Sequence, residues 1–475
     1  MLFDDTTFSS YDKAEHKARK ALEFYEDGKM SQALLQLEEA LQINPSNSSW
    51  HFNKGLTLDS INQFEEAIGE YEIALQLCPN DLETLNSLAV DYTRTGQYDL
   101  AIDTFEQIQR LDPAFEPCYC NRIITYTEMG QHDSAEQMFY LAQQIDSDCP
   151  LCYYNIGNSL FVRGKYKRAI HCWLRTVELA PSHPQINYRI AQAYWSGGDN
   201  EHAREYFLAE LRANPGDVDV ILDFGLFLLE IEDIDSAKEK FNRILELRPD
   251  SAEPLFYLGE IAFNNADYTR AVQLFNEAMQ EDNTLAGPRY RLAQCALMSG
   301  QKQKGRDYLV SEVELAVDNT DALVSIGSMF LIIGELDLAT HCLLRAVDLE
   351  RSCIGSIEDV CVEPFLQKAA RRGPAVCANA DAYYYLGLVS AGKEELEDAA
   401  EFFGHVLDID PEHVPALRDS AIVYLAMGRT DDAAERIKKA SALAGDDSHL
   451  KALGRRLRLV RLAERIKKFP WCLGS

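Results

Sequence analysis

The chain has 475 residues, of which 76 are acidic and 46 basic, giving a formal net charge of −30. That excess of carboxylates excludes the main body from nucleic-acid binding, because phosphates are held by clustered Lys and Arg. Apolar residues make up 47% of the chain, enough to bury a large core, so the acidity does not signal disorder.

Residues 1–13 read as an N-terminal tail, with acids where a secretory leader has a basic region. No apolar run approaches the roughly 18 residues of a membrane helix, so no transmembrane segment is expected. The expectation is a cytoplasmic protein whose twelve scattered cysteines are reduced thiols.

From residue 14 a single period takes over. Pro45, Pro79 and Pro113 lie 34 residues apart, as do Pro181, Pro215 and Pro249, and Pro113 to Pro181 is twice that interval. With each proline at place 32 of a 34-residue unit, ten units begin at Ala14, Ser48, Leu82, Glu116, Pro150, Pro184, Val218, Ala252, Ala286 and Thr320, filling residues 14–353.

The spacing then jumps from 34 to 60, which places an insertion at 354–379. It holds Cys361, Cys377, Pro364, Gly373 and Pro374, with Cys353 at its border. Three separate Cys without His do not make a zinc site. The insertion reads as a tolerated excursion with a short helix around residues 363 to 372, an interaction loop being the alternative. Units eleven and twelve, beginning at Ala380 and Val414, fill residues 380–445.

Residues 446–475 carry eight basic and three acidic side chains, a net of +5, which leaves −35 on the rest of the chain. Leu450, Leu453, Leu457 and Val460 recur at helical spacing, so this basic segment is expected to be an amphipathic helix capping the array, followed by a tail. Contact with an anionic membrane surface, helped by Phe469 and Trp471, is the lesser alternative.

Three places identify the unit. Place 20 is Ala in eleven units, from Ala33 to Ala433, and Gly305 in the other. Place 8 is Gly or Ala in eleven, with Ile123 the exception, and place 24 is large and apolar in all twelve, including Tyr71, Phe105, Trp173, Phe207, Phe275 and Phe403. Small residues at places 8 and 20 let two antiparallel helices approach, and the large residue at place 24 is expected to fill the space between one pair and the next. Gly at place 15 in eight units ends the first helix in a left-handed residue, and the proline stops the second.

This pattern resembles the tetratricopeptide repeat family over about six-sevenths of the chain. Departures are the lack of Trp at place 4 and the replacement of proline by Ser147, Asn283, Val317, Arg351 and Gly445. The resemblance implies an all-α fold: a right-handed α-solenoid, or superhelix, of about twelve helical hairpins plus the C-terminal capping helix. It also implies that places 2, 5, 6, 9, 12 and 13 of the first helices line a concave groove.

Within that groove the expected peptide-binding patch lies on units four to six. Asn121, Asn155, Asn158, Arg189 and Gln192 stand at places 6 and 9, with Tyr154, Tyr188 and Trp195 beside them. Amides suit a main-chain peptide group because they donate and accept at once. Place 2 is acidic in six units, which the helix dipole explains in part and which, with the body charge, favours a basic partner.

Cys118 with Cys120 and Cys149 with Cys152 invite a metal reading, since Cys118 and Cys152 share place 3 of adjacent first helices. Buried apolar packing is the preferred account, and no metal or cofactor is expected. No His-Glu-x-x-His, phosphate loop or catalytic constellation occurs, so the chain is expected not to be an enzyme. It reads as a non-enzymatic scaffold that binds extended segments of partner proteins in an acidic groove, with an assembly subunit as the alternative. A co-chaperone is a second alternative, disfavoured because place 5 offers Phe52, Tyr154, Tyr188, Phe256, Tyr290 and Tyr384 where the family's chaperone-tail clamp has Lys.

Overall fold

The computed structural model describes residues 5–316, 319–347, 366, 369–370, 379–445 and 447–468, without the side chains of 5–11 and 462–468. Among these residues every regular element is an α-helix, and the helices run in pairs. The first units give Asp5–Glu26 with Met30–Ile43, Ser48–Asp59 with Phe64–Leu77, Leu82–Arg94 with Tyr98–Leu111, and Glu116–Glu128 with His132–Ile145. Pro150–Val162 with Tyr166–Leu179 and Ile186–Ser196 with Asn200–Ala213 follow.

The chain divides into two compact units, Met1–Asp233 and Ile234–Ser475. The divide falls inside the seventh repeat: Val218–Glu230 ends the first unit and Ile234–Leu247 opens the second. The second unit continues with Ala252–Asn264 and Tyr268–Glu281, Pro288–Met298 and Lys302–Leu315, Thr320–Ile333 and Leu336–Val347, Ala380–Gly392 and Leu396–Ile409, then Val414–Ala426 and Thr430–Ala444.

Sterics explain the hairpin. Each alanine at place 20 is fully buried, and each residue at place 24 is buried as well. A Cβ added to Gly55 would come within 2.4 Å of the Tyr71 ring, one on Gly157 within 2.4 Å of Trp173, and one on Gly387 within 2.7 Å of Phe403. The large residue at place 24 therefore lies edge-on against the glycine of its own hairpin as well as facing the next, which refines the sequence expectation. Trp173, the bulkiest, satisfies its indole N–H by donating to the Tyr154 carbonyl at 3.1 Å.

All twelve turns close in the same way. The place-16 N–H donates to the place-11 carbonyl, as in Gln97 to Tyr92 at 2.8 Å and Arg429 to Tyr424 at 2.8 Å. The geometry needs a left-handed residue at place 15, and it is imposed even where glycine is missing: Asn62, Glu232, Ala266 and Glu394 take φ of 63, 62, 60 and 65°.

The insertion leaves the stacking of the second unit intact. Leu323, Leu343, Leu386 and Phe402 belong to one buried apolar cluster that spans it, and Asn379 donates to Asp321 at 3.1 Å across it. Residues 366, 369 and 370 are helical; Leu366 and Ala370 are buried in that cluster, and the His405 Nε2–H donates to the Ala370 carbonyl at 2.5 Å. The remainder of the expected helix at 363 to 372, with Cys353, Cys361 and Cys377, lies outside the described residues.

The basic segment folds as the helix Ser448–Lys468. Leu450 and Leu457 are buried, Leu457 joins Ala421, Leu425, Ala433 and Ile437, and Arg461 donates to the Thr430 carbonyl at 3.2 Å. The helix thus covers part of the apolar surface of the last hairpin; Phe469 and Trp471 lie outside the described residues. Among the described residues no helix is long and apolar enough to cross a membrane.

Candidate partner-binding face and a thiol cluster

Successive first helices meet with an offset of one residue, because place 5 of one repeat reaches place 6 of the next. Asn121 donates to Asn86 Oδ1 at 3.0 Å, Tyr188 donates to Asp223 at 2.6 Å, and in the second unit Tyr384 donates to Asp419 at 2.8 Å. Asn155 is buried, its amide within 3.4 Å of both the carbonyl and the thiol of Cys120. The asparagines expected to hold a peptide main chain thus also serve as rungs that tie one repeat to the next.

The remaining residues of the expected patch lie on the same face. Gln192 joins Tyr188 on Asp223 at 3.0 Å and accepts from Arg189 at 3.3 Å. The Arg189 Nε is buried without a protein partner. Trp195 donates to Glu230 at 2.7 Å and rests on Phe207 and Phe227. Tyr154 lies against the His183 ring at 4.3 Å, and Asn158 is half-buried. Burial, followed by the Asp223 hydrogen bond, pushes the Tyr188 hydroxyl well above its ordinary range.

Exposure shows what the residue pattern did not. On the first helices of the first unit the large apolar residues left in water are Leu22, Ile124, Leu151 and Val162, with Leu151 54% and Val162 67% exposed. They stand at places 9, 9, 2 and 13. In the second unit the corresponding residues are Met298, Ile332 and Ile422, at places 13, 13 and 9. Among the described residues, the exposed large apolar side chains on the first helices all stand at places that the groove reading names.

A second cluster joins repeats four and five. Glu116 and Cys120 are one turn apart on Glu116–Glu128, Cys149 is the N-cap of Pro150–Val162, and Cys152 sits in its first turn. One ligand atom from each of these four residues lies within 4.8 Å of all the others. The place-3 pairing that made a shared site conceivable does not form: Cys118 donates its thiol to the Phe105 carbonyl at 3.3 Å, outside the cluster. Burial pushes Glu116 up to about 7, with Cys149 adding to the shift. Hydrogen bonds from Cys120 and Cys152 hold the Cys149 thiol well below its ordinary range.

The tetratricopeptide repeat, as a sequence family, matches residues 19–81 and 154–218, 82–115, and 390–457. The chain belongs to the tetratricopeptide repeat family. Residues 232–311 of this repeat protein also match the family described as anaphase-promoting complex, cyclosome, subunit 3. Among curated proteins there is no significant match.

Several solved structures are similar. A tetratricopeptide repeat protein from Parabacteroides merdae is 18% identical with a TM-score of 0.42, covering 50% of this chain and 94% of its own. Yeast Tom70 is 13% identical with a TM-score of 0.41, covering 96% of this chain and 97% of its own. The Cut9-Hcn1 hetero-tetramer structure is 12% identical with a TM-score of 0.41, covering 94% and 96%. Tetratricopeptide repeats make the chain a protein-interaction scaffold or a subunit of a complex.

Proposed function

We propose that this protein is a non-enzymatic scaffold that lays extended segments of partner proteins along the first helices of residues 14–230. The observation that carries the reading is the exposure of Leu22, Ile124, Leu151 and Val162 at groove places, where water-exposed apolar side chains offer binding area at no cost to the fold. Polar groups beside them, Asn158, Arg189 and Gln192, can fix the partner's main chain. The body charge of −35 favours a basic segment, steered in by the long-range field. We place the protein in the cytoplasm, a reading supported by the free thiols among the described residues.

The test begins with capture of partners on the intact chain, followed by titration of the captured partner's binding segment. Ile124→Ser combined with Val162→Ser should weaken binding at least about tenfold, roughly 1.4 kcal/mol, with the helical signal unchanged. Unchanged affinity removes this face as the site. The match at residues 232–311 supports the second reading, an assembly subunit, in which the partner remains bound through gel filtration at nanomolar concentration.

A further inference from the structure

We propose that Cys120, Cys149, Cys152 and Glu116 form a zinc site that staples the fourth repeat to the fifth. Glu116 and Cys120, four apart, share one face of their helix, while Cys149 caps the next first helix and Cys152 sits in its first turn, so each repeat contributes two ligands. A tetrahedral zinc with metal–sulfur bonds of about 2.3 Å has sulfur–sulfur edges of about 3.8 Å. The four ligand atoms, all within 4.8 Å of one another and with Glu116 Oε1 only 2.9 Å from Cys152 Sγ, need to shift by no more than about 1 Å to reach such edges.

The surroundings match a metal better than simple packing. Cys120, Cys149 and Cys152 are buried, and Glu116 Oε1 lies 2.9 Å from the Cys152 thiol. Glu116 is partly buried beside three buried thiols, and among the described residues no Lys, Arg or His nitrogen makes an ion pair with it, so a cation there would offset the cost of withdrawing its carboxylate from water. Groups that would stabilise bound thiolates are in place as well. The Cys152 N–H donates to Cys149 Sγ at 3.4 Å, and the Asn155 amide donates to Cys120 Sγ at 3.4 Å. Three thiolates and one carboxylate around a divalent ion leave the same net charge as a four-cysteine structural site, and such a soft donor set selects zinc over magnesium or calcium.

The experiment uses the untagged full chain, reduced and freed of metal, titrated with Co²⁺ and then Zn²⁺. One equivalent of Co²⁺ should develop thiolate-to-metal charge-transfer and tetrahedral ligand-field bands, which one equivalent of Zn²⁺ abolishes. Cys149→Ser and Cys120→Ser should lose at least about 90% of this signal; Cys118→Ser should keep it, and circular dichroism reports whether each variant is folded. Glu116→Gln should bind metal at least tenfold more weakly. Absence of the cobalt bands from the folded, reduced wild-type chain overturns the proposal. So does a Cys149–Cys152 disulfide in protein whose reduced form takes up no metal, which makes the cluster a redox pair instead.

Discussion

The junction between repeats four and five and the junction between repeats ten and eleven differ in opposite ways from what their sequences announce. The first keeps the 34-residue spacing without a break, yet its contact holds three thiols, a carboxylate and a buried amide. The second is broken by 26 inserted residues, yet its contact is an ordinary apolar cluster around Leu323, Leu343 and Leu386. An unbroken period fixes where helices stack without fixing what lies between them. A broken one need not interrupt stacking, because a long loop costs little closure entropy beyond a short one.

The sharpest test is whether the two regions share one hairpin geometry. Gly157→Ala and Gly387→Ala should each cost about 1 to 3 kcal/mol, because the new Cβ meets Trp173 or Phe403 well inside contact distance. Gly404→Ala, whose Cβ meets nothing within 4 Å, should be neutral or stabilising by up to about 1 kcal/mol. Denaturant melts of the three variants compare them directly; a loss at only one of the first two would show that the regions are built differently.

A buried polar junction should also leave a pH signature, and the contact between repeats two and three provides it. Asp91 is buried, and burial followed by the nearby Asp59 carboxylate raises its pKa to about 7, against the opposing pull of Arg94. A carboxyl that holds its proton more tightly when folded destabilises the native state as pH rises. Stability should therefore fall by on the order of 2 kcal/mol between about pH 4 and pH 7. Asp91→Asn should flatten that decline, and identical pH profiles for the two proteins would count against the assignment.

The smallest expected effect concerns the turns of the same two regions. Gly164 and Glu394 occupy the left-handed place with φ of 68 and 65°. Glu394→Gly should stabilise by about 0.5 to 1 kcal/mol, and Gly164→Ala should destabilise by about 1 kcal/mol. Thermal melts that move in the same direction for both would refute a shared turn.

Much of the fold was legible because the places that specify it are steric. Alanine at place 20 and a large residue at place 24 leave few alternatives, and their burial follows the frame from Ala33 to Ala433. The turns at Glu232, Ala266 and Glu394 were hidden, since closure by the place-16 N–H outweighs the residue's own preference. Nothing in the frame marks the division after Asp233, because the period runs straight through it.

The thiol cluster was half visible. The Cys149-x-x-Cys152 spacing was the signal, but pairing equal places assumes that first helices stack in register. The observed offset instead sends Cys120, at place 5, to Cys152 and Asn155 at places 3 and 6. The same offset explains why Asn121 and Asn155 are engaged by their neighbours, while Ile124 and Val162, unremarkable in sequence, are left exposed.

Hydrogen exchange of the intact chain with and without its captured partner shows whether the first helices form the partner-binding face. Added protection is expected on Glu116–Glu128, Pro150–Val162 and Ile186–Ser196, with His132–Ile145 and Tyr166–Leu179 unchanged. Protection centred on those second helices, or on the C-terminal helix Ser448–Lys468, would contradict it.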